Sequence, residues 1–123
     1  MILDHIGFNV SDFTASRDFY LRALEPLGIG IALQGEGWVM FGREGKGQFW
    51  IGAFGPSPGR VHVAFSAQSR EQVRAFHAAA LAAGAQDNGA PGIRAHYHPN
   101  YYGAFVIGPD DHNIEAVCHA PEA

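Results

Sequence analysis

The segment Val61-His62-Val63-Ala64-Phe65-Ser66 decides the fold, because Asp4-His5-Ile6-Gly7-Phe8-Asn9 anticipates it. At an offset of 57 residues (62 − 5 = 57), His5 falls on His62, Phe8 on Phe65, Arg17 on Arg74, Phe19 on Phe76 and Leu24 on Leu81. Self-similarity at a fixed offset marks repeated supersecondary units. Each copy opens on a strand with one apolar and one mixed face. Ile6, Phe8 and Val10 share a side opposite Leu3, His5, Gly7 and Asn9; Val61, Val63 and Phe65 lie opposite His62, Ala64 and Ser66. The first strand is expected to run from Ile2 to Val10.

A helix follows each strand. Ser11 and Asp12 can cap the first, whose stripe is Phe13, Ser16, Phe19, Tyr20, Ala23, Leu24 and Leu27, with Pro26 and Gly28 ending it. Ser69 and Gln72 form a capping box for the second, lined by Val73, Phe76, His77, Ala80 and Leu81 and ended by Gly84. After the first helix, apolar runs at about 29–33, 38–41 and 48–54 are broken by glycine turns, the pattern of an antiparallel meander. After the second, 85–96 is rich in Gly and Pro and predicts at most a short, irregular strand. A hairpin then runs from Tyr101 through Gly108-Pro109-Asp110-Asp111 to Cys118, with a frayed tail beyond. Gly55-Pro56-Ser57-Pro58-Gly59 is a linker. The expectation is an α+β fold of two βαβββ units in one domain, 1–123. Unit one covers about 1–54, the linker 55–60 and unit two about 61–119. The sheets are cupped and mixed/antiparallel, with the helices on their outer faces.

The 123 residues are 47 % hydrophobic and 16 % charged, which fits one globular domain with a sizeable core. A net charge of −4 without a basic run argues against nucleic-acid binding. The single cysteine, Cys118, rules out an intrachain disulfide and fits a reducing compartment. With a strand expected from Ile2 and no apolar run of membrane-spanning length, a soluble cytoplasmic protein without membrane association is the expectation.

Glu115 is the residue out of place. It lies inside Asn113-Ile114-Glu115-Ala116-Val117-Cys118, and a carboxylate is costly to bury unless paired or bound to a cation. Alternation puts it with Asn113 and Val117 on the mixed face, opposite Cys118, which belongs to the core. His5 and His62 occupy mixed faces too. A lone strand histidine is more often structural than ligating; two at matched repeat positions, plus an intrastrand glutamate, tip the balance towards a shared site. His96, His98, Tyr101 and Tyr102 cluster before the penultimate strand. They read first as loop packing, with His98 and Tyr101 the best acid/base or oxyanion candidates. Trp38, Met40, Phe49, Trp50 and Ile51 read as core, although alternation turns about half of them to the mixed face, where they would suit an apolar or aromatic ligand. Arg43, Lys46 and Arg94 could hold an anion; His77 reads as a helix-face residue and His112 as a turn residue.

These motifs resemble the vicinal-oxygen-chelate superfamily, the glyoxalase / bleomycin-resistance / extradiol-dioxygenase fold, over nearly the whole chain. The resemblance rests on Asp4-His5-Ile6-Gly7-Phe8-Asn9-Val10-Ser11-Asp12 with Phe19-Tyr20, on Val61-His62-Val63-Ala64-Phe65, and on Pro109-Asp110-Asp111-His112-Asn113-Ile114-Glu115. That last turn departs from the family's Asp-Pro-Asp-Gly-Asn pattern at Gly108 and at Asp111-His112. The resemblance implies a divalent metal ion (Zn, Ni, Mn or Fe) on His5, His62 and Glu115. Two imidazoles and one carboxylate leave coordination positions open for water or substrate. The last strand of unit one, Gln48-Phe49-Trp50-Ile51-Gly52, has no carboxylate to act as a fourth ligand, which argues against glyoxalase I itself. The resemblance further implies a homodimer whose site is either internal to a chain or shared between two. The expected function is lyase- or isomerase-type chemistry on a small-molecule substrate that chelates the metal through neighbouring oxygens. A ligand-sequestering protein of bleomycin-resistance type, a dioxygenase and a thiol transferase are the alternatives.

Overall fold

In a computed structural model, described for residues 3–121, both halves of the chain follow the same path. In the first, β1 (Ile6–Asn9) leads to α1 (Phe13–Leu24), a 3-10 turn (Glu25–Leu27), β2 (Gly30–Gly35), β3 (Trp38–Arg43) and β4 (Lys46–Gly52). In the second, β5 (His62–Ser66) leads to α2 (Arg70–Ala82), β6 (Gln86–Ile93), β7 (Tyr102–Ile107), a 3-10 turn (Pro109–Asp111) and β8 (Asn113–Cys118). The strand orders are β1-β4-β3-β2 and β5-β8-β7-β6. In each sheet the first strand runs parallel to the last and the other pairs are antiparallel. The architecture is thus two mixed four-stranded sheets with two helices, the expected pair of βαβββ units.

Local chemistry sets the element ends. The Asp12 carboxylate accepts from Ala15 N at 3.1 Å, and Gly28 adopts the left-handed φ of 75° that closes the first helical segment. Ser69 Oγ accepts from Gln72 N at 3.1 Å, while Gln72 Oε1 accepts from Gln68 N at 2.9 Å. The α1 stripe buries Phe19, Tyr20, Ala23 and Leu24 with Val39, Phe41, Phe49 and Ile51; α2 buries Val73, Phe76 and Ala80 with Ala104, Val106, Ile114 and Ala116. Leu81, expected on that stripe, is 38 % exposed: the helix period carries it past the sheet.

The two units meet through the faces that the helices cover. The Phe49 and Phe65 rings cross between them with centroids 5.2 Å apart, and Phe8 meets His112 edge-on at 4.8 Å. Arg43 donates to Leu27 O at 2.9 Å and to Ser66 O at 2.6 Å, a bridge between units rather than an anion clamp. The mixed faces therefore lie on the opposite sides of the sheets from this shared core.

Three details differ from the sequence reading. β1 starts at Ile6, so His5 precedes the strand; Ile2, where it was expected to begin, lies outside the described residues. β6 is eight residues long despite its Gly and Pro content, with register shifts between Asp87 and Gly89 and between Gly89 and Gly92. Pairing with β7 overrides weak strand propensity there. His112 is fully buried, its Nε2 bonded to Pro58 O at 2.8 Å, so this turn residue anchors the linker. Beside it, Asp110 and Asp111 take consecutive left-handed φ values of 59° and 60°, which aspartate tolerates better than most residues. Burial opposes ionisation of Asp110, but hydrogen bonding to Ser11 and the nearby His112 outweigh it and hold its carboxyl below the usual range.

Candidate functional site

β8 brings Glu115 to the mixed face of the second sheet, and the ladders assemble its neighbours. Ala64 stands opposite Glu115 on β5 and Phe105 opposite it on β7. Glu115 is 1 % exposed. Its Oε1 lies 2.9 Å from His62 Nε2, and the Tyr101 hydroxyl donates to its Oε2. Both carboxylate oxygens are therefore satisfied, which is what makes a charge tolerable in that strand. The His62 side chain is half exposed, so the pair spans from the sheet to solvent. Burial first, then the hydrogen bond and charge of Glu115, push the Tyr101 phenol well above its ordinary range, against a smaller pull from Arg94. Tyr101 thus remains a proton donor at neutral pH.

Glycine makes room for this set. A Cβ at Gly103 would come within 3.1 Å of Tyr101 Cε1 and 3.3 Å of Glu115 Oε2. The 94–101 loop carries Tyr101 into place, tied at its base by Arg94 N donating to Tyr101 O at 2.7 Å. The Tyr101 ring contacts Tyr97 at 5.0 Å and His119 at 5.2 Å.

The remaining candidates lie elsewhere. His5 precedes β1 and is bonded through Nδ1 to Asp4 at 2.7 Å; it does not join the His62–Glu115 pair. It lines a cavity of about 190 Å³ between the units, with Phe41, Arg43, Phe49, Phe65 and Ser66. None of His62, Tyr101 and Glu115 lines that cavity. His98 is at the rim: its Nδ1 accepts from Asn100 N at 3.0 Å and its ring meets His119 at 5.6 Å, one step away from Tyr101. Lys46 is exposed at the turn between β3 and β4. His77 bonds Asp87 Oδ1 at 3.0 Å across α2 and β6. Cys118 is buried in the core as expected.

Among the described residues of one chain, no three His, Cys, Asp or Glu side chains converge as a metal site. His62 Nε2 and Glu115 Oε1 are an imidazole and a carboxylate hydrogen-bonded to each other, donor types that suit a divalent ion.

A profile of the Glyoxalase/Bleomycin resistance protein/Dioxygenase superfamily matches residues 2–120. The chain belongs to that superfamily. A glyoxalase/bleomycin resistance protein from Albidiferax ferrireducens T118 is similar at 30 % identity and a TM-score of 0.82, over 98 % of this chain and 100 % of that one. A glyoxalase/bleomycin resistance protein/dioxygenase family enzyme from Burkholderia phytofirmans PsJN shares the fold at 18 % identity and a TM-score of 0.72, over 95 % and 98 % of the two chains. A glyoxalase-related enzyme from Fulvimarina pelagi shares it at 16 % identity and 0.70, over 94 % and 86 %. No curated protein matches the chain in sequence. Superfamily members typically bind divalent metals and small molecules and are often dimeric. No helix among the described residues is long and apolar enough to cross a membrane.

Of the residues singled out in the sequence, the structure brings His62, Tyr101 and Glu115 together and leaves His5 and His98 outside that set. Sequence reasoning missed Phe105 and Gly103, whose places beside Glu115 follow from hairpin register. That register depends on how Gly108 and the turn after it fold.

Proposed function

We propose that this chain is a metal-dependent, glyoxalase-type lyase or isomerase acting on a small substrate with neighbouring oxygens. The observation that carries this reading is the buried Glu115 carboxylate, held between His62 and Tyr101 on the face away from the core. An apolar strand gains no packing from such a group, whereas a reactive centre needs it. His62 and Glu115 would hold the ion, with His5 of a second copy as third ligand, since His5 of the same chain does not converge with them. The working unit is then a homodimer, with Zn, Ni, Mn or Fe as the ion. When bound, the ion supplies Lewis-acid polarisation of the substrate oxygens.

The protein groups divide the remaining work. Glu115, catalytic as well as ligating, takes the proton from the carbon next to the polarised carbonyl and returns it. Tyr101, kept protonated, gives its one hydroxyl proton to the Glu115 Oε2 hydrogen bond and so fixes the carboxylate. His98, at the rim beside His119, exchanges protons with solvent. The test is metal content after purification without chelator and exposure to Mn, Fe, Ni and Zn. The native protein is expected to hold about one ion per chain and the His62→Ala/Glu115→Ala double variant none. Native protein that takes up no ion would sink the enzyme reading.

A ligand-sequestering function is the second reading, favoured by the other mixed face. There Trp50 stacks on Phe54 with centroids 5.9 Å apart, beside Trp38 and Met40, and Phe54 is 66 % exposed. Tight binding of an aromatic ligand by metal-free protein, without turnover in any metal-loaded form, would establish it. Dioxygenase chemistry with Fe, or thiol transfer, would show itself as turnover of catechols or of thiol acceptors by the loaded protein.

A further inference from the structure

Arg94 stands on the same face as Glu115, although it comes from the far edge of the sheet. Phe105 is the cross-strand partner of Glu115, and its ring lies 6.2 Å from that of His62. The Arg94 guanidinium lies over that same Phe105 ring, 5.4 Å from its centroid. Two carbonyls hold it there: Gly92 O accepts from Nη1 and Ala90 O from Nη2, each at 2.8 Å. Two glycines clear its seat. A Cβ at Gly89 would come within 2.9 Å of Phe105 Cδ1 and 3.1 Å of Arg94 Nη2, and one at Gly92 within 3.2 Å of Nη1. The guanidinium is therefore built in, not swinging from the surface.

Its charge is not answered by a carboxylate among the described residues. Among the described residues Arg94 forms no ion pair with a carboxylate. A guanidinium has five N–H donors and stays charged at any physiological pH, so the two carbonyls leave donors unused. A fixed, planar, unpaired cation beside an apolar ring is the arrangement that binds a carboxylate through two parallel hydrogen bonds. Among the described residues Arg94 is the one cation seated on this ring, and the Glu115 carboxyl lies across the strand pair from it, so a monoanion fits better than a phosphate dianion.

We propose that Arg94 selects the ligand and that the ligand is a small carboxylic acid. Its body rests on Phe105, its carboxylate on Arg94, and its remaining oxygens face Glu115 and His62. This rests on the reading that the His62–Glu115 pair meets a small molecule, but not on the presence of a metal.

Two probes that share neighbouring hydroxyls separate the questions: catechol and its carboxylated form, 2,3-dihydroxybenzoate. Calorimetry on metal-free and Zn-exposed protein is expected to show 2,3-dihydroxybenzoate binding at least about tenfold tighter than catechol, since a hydrogen bond between charged groups is stronger than a neutral one. In Arg94→Gln the preference disappears while catechol binding stays within about twofold. Arg94→Lys, which keeps the charge and loses the fork, retains part of the preference. It also serves as the test if thermal melts show that Arg94→Gln is unfolded. A native protein without the preference, or binding neither probe, overturns the proposal. So does a preference that survives in full in both variants. Inorganic phosphate displacing 2,3-dihydroxybenzoate at equal concentration overturns the carboxylate assignment. Failure to take up Zn with the preference intact sinks the metal reading alone.

Discussion

Gly7 faces Trp50 in the first unit at the register where Ala64 faces Glu115 in the second. One strand further, Met40 opposes Trp50 as Phe105 opposes Glu115. Two positions along β3, Trp38 stands opposite Gly52 where Gly103 on β7 stands opposite Val117, and the space over Gly103 is used by Tyr101 and the carboxylate. The same ladder thus carries an aromatic platform in one unit and a hydrogen-bonded acid in the other. Topology decides where a side chain points, and a few residues on one face decide what it does.

The largest effect should come from the residue that most separates the two units. Glu115→Gln keeps the shape and is expected to lower divalent-metal affinity by more than about 100-fold, since even supporting residues around a metal cost about 10–100-fold. Trp50→Phe, at the equivalent position, should leave affinity within about twofold. Equal losses in titrations of both variants would erase the distinction. Next in size is the platform itself. A Cβ at Gly7 would lie 2.7 Å from Trp50 Cε3, so Gly7→Ala should cost about 1–3 kcal/mol in denaturant unfolding and shift tryptophan emission. An unchanged midpoint would mean that Trp50 is not seated as described.

The helices offer a smaller comparison at one repeat position, Tyr20 against His77 (77 − 20 = 57). Tyr20 is fully buried and its hydroxyl has no hydrogen-bond partner among the described residues. Burial, and then the charge of Asp110, push its phenol well up. Tyr20→Phe should therefore gain about 1 kcal/mol at neutral pH, because an unpaired buried hydroxyl is a net cost. The sign of the pH effect follows from the raised value. The stability tied to the neutral phenol is complete below about pH 10, the unfolded value, and is lost above it, so native protein should weaken faster than Tyr20→Phe at alkaline pH. In the second unit, His77 is bonded to Asp87, whose carboxyl lies below the usual range through the Gly89 backbone hydrogen bond first and His77 next. That contribution is present above the usual aspartate value of about 4 and fades as pH falls through the native one. Asp87→Asn should melt earlier than native protein at pH 7, with the difference shrinking as pH falls below about 4. A gap that persists in acid would assign it to packing.

The repeat made the fold legible, because it doubled every weak strand and helix signal. Glu115 was legible because nothing apolar explains a carboxylate in that strand. β6 was hidden by its glycines and Pro91, which carry no strand preference until β7 pairs with them. The burial of His112 was hidden because turn chemistry at 108–111 says nothing of Pro58 reaching across to it. Arg94 was one of three equivalent cations in the sequence. Only the closure of the 94–101 loop and the glycine seat set it apart, while Arg43 turned out to bridge two carbonyls. His5 matched His62 by position, yet the chain pairs it with Asp4.

The proposed arrangement, with the ligand pair in unit two completed by unit one of a second copy, has a most direct test. His5→Ala and His62→Ala/Glu115→Ala proteins should each lack tightly bound metal. Unfolded together and refolded as a mixture, half of the dimers are mixed and each has one intact site, so about a quarter of the native metal content should return. Native metal content in His5→Ala alone, or no recovery in a mixture shown to contain mixed dimers, would contradict the account.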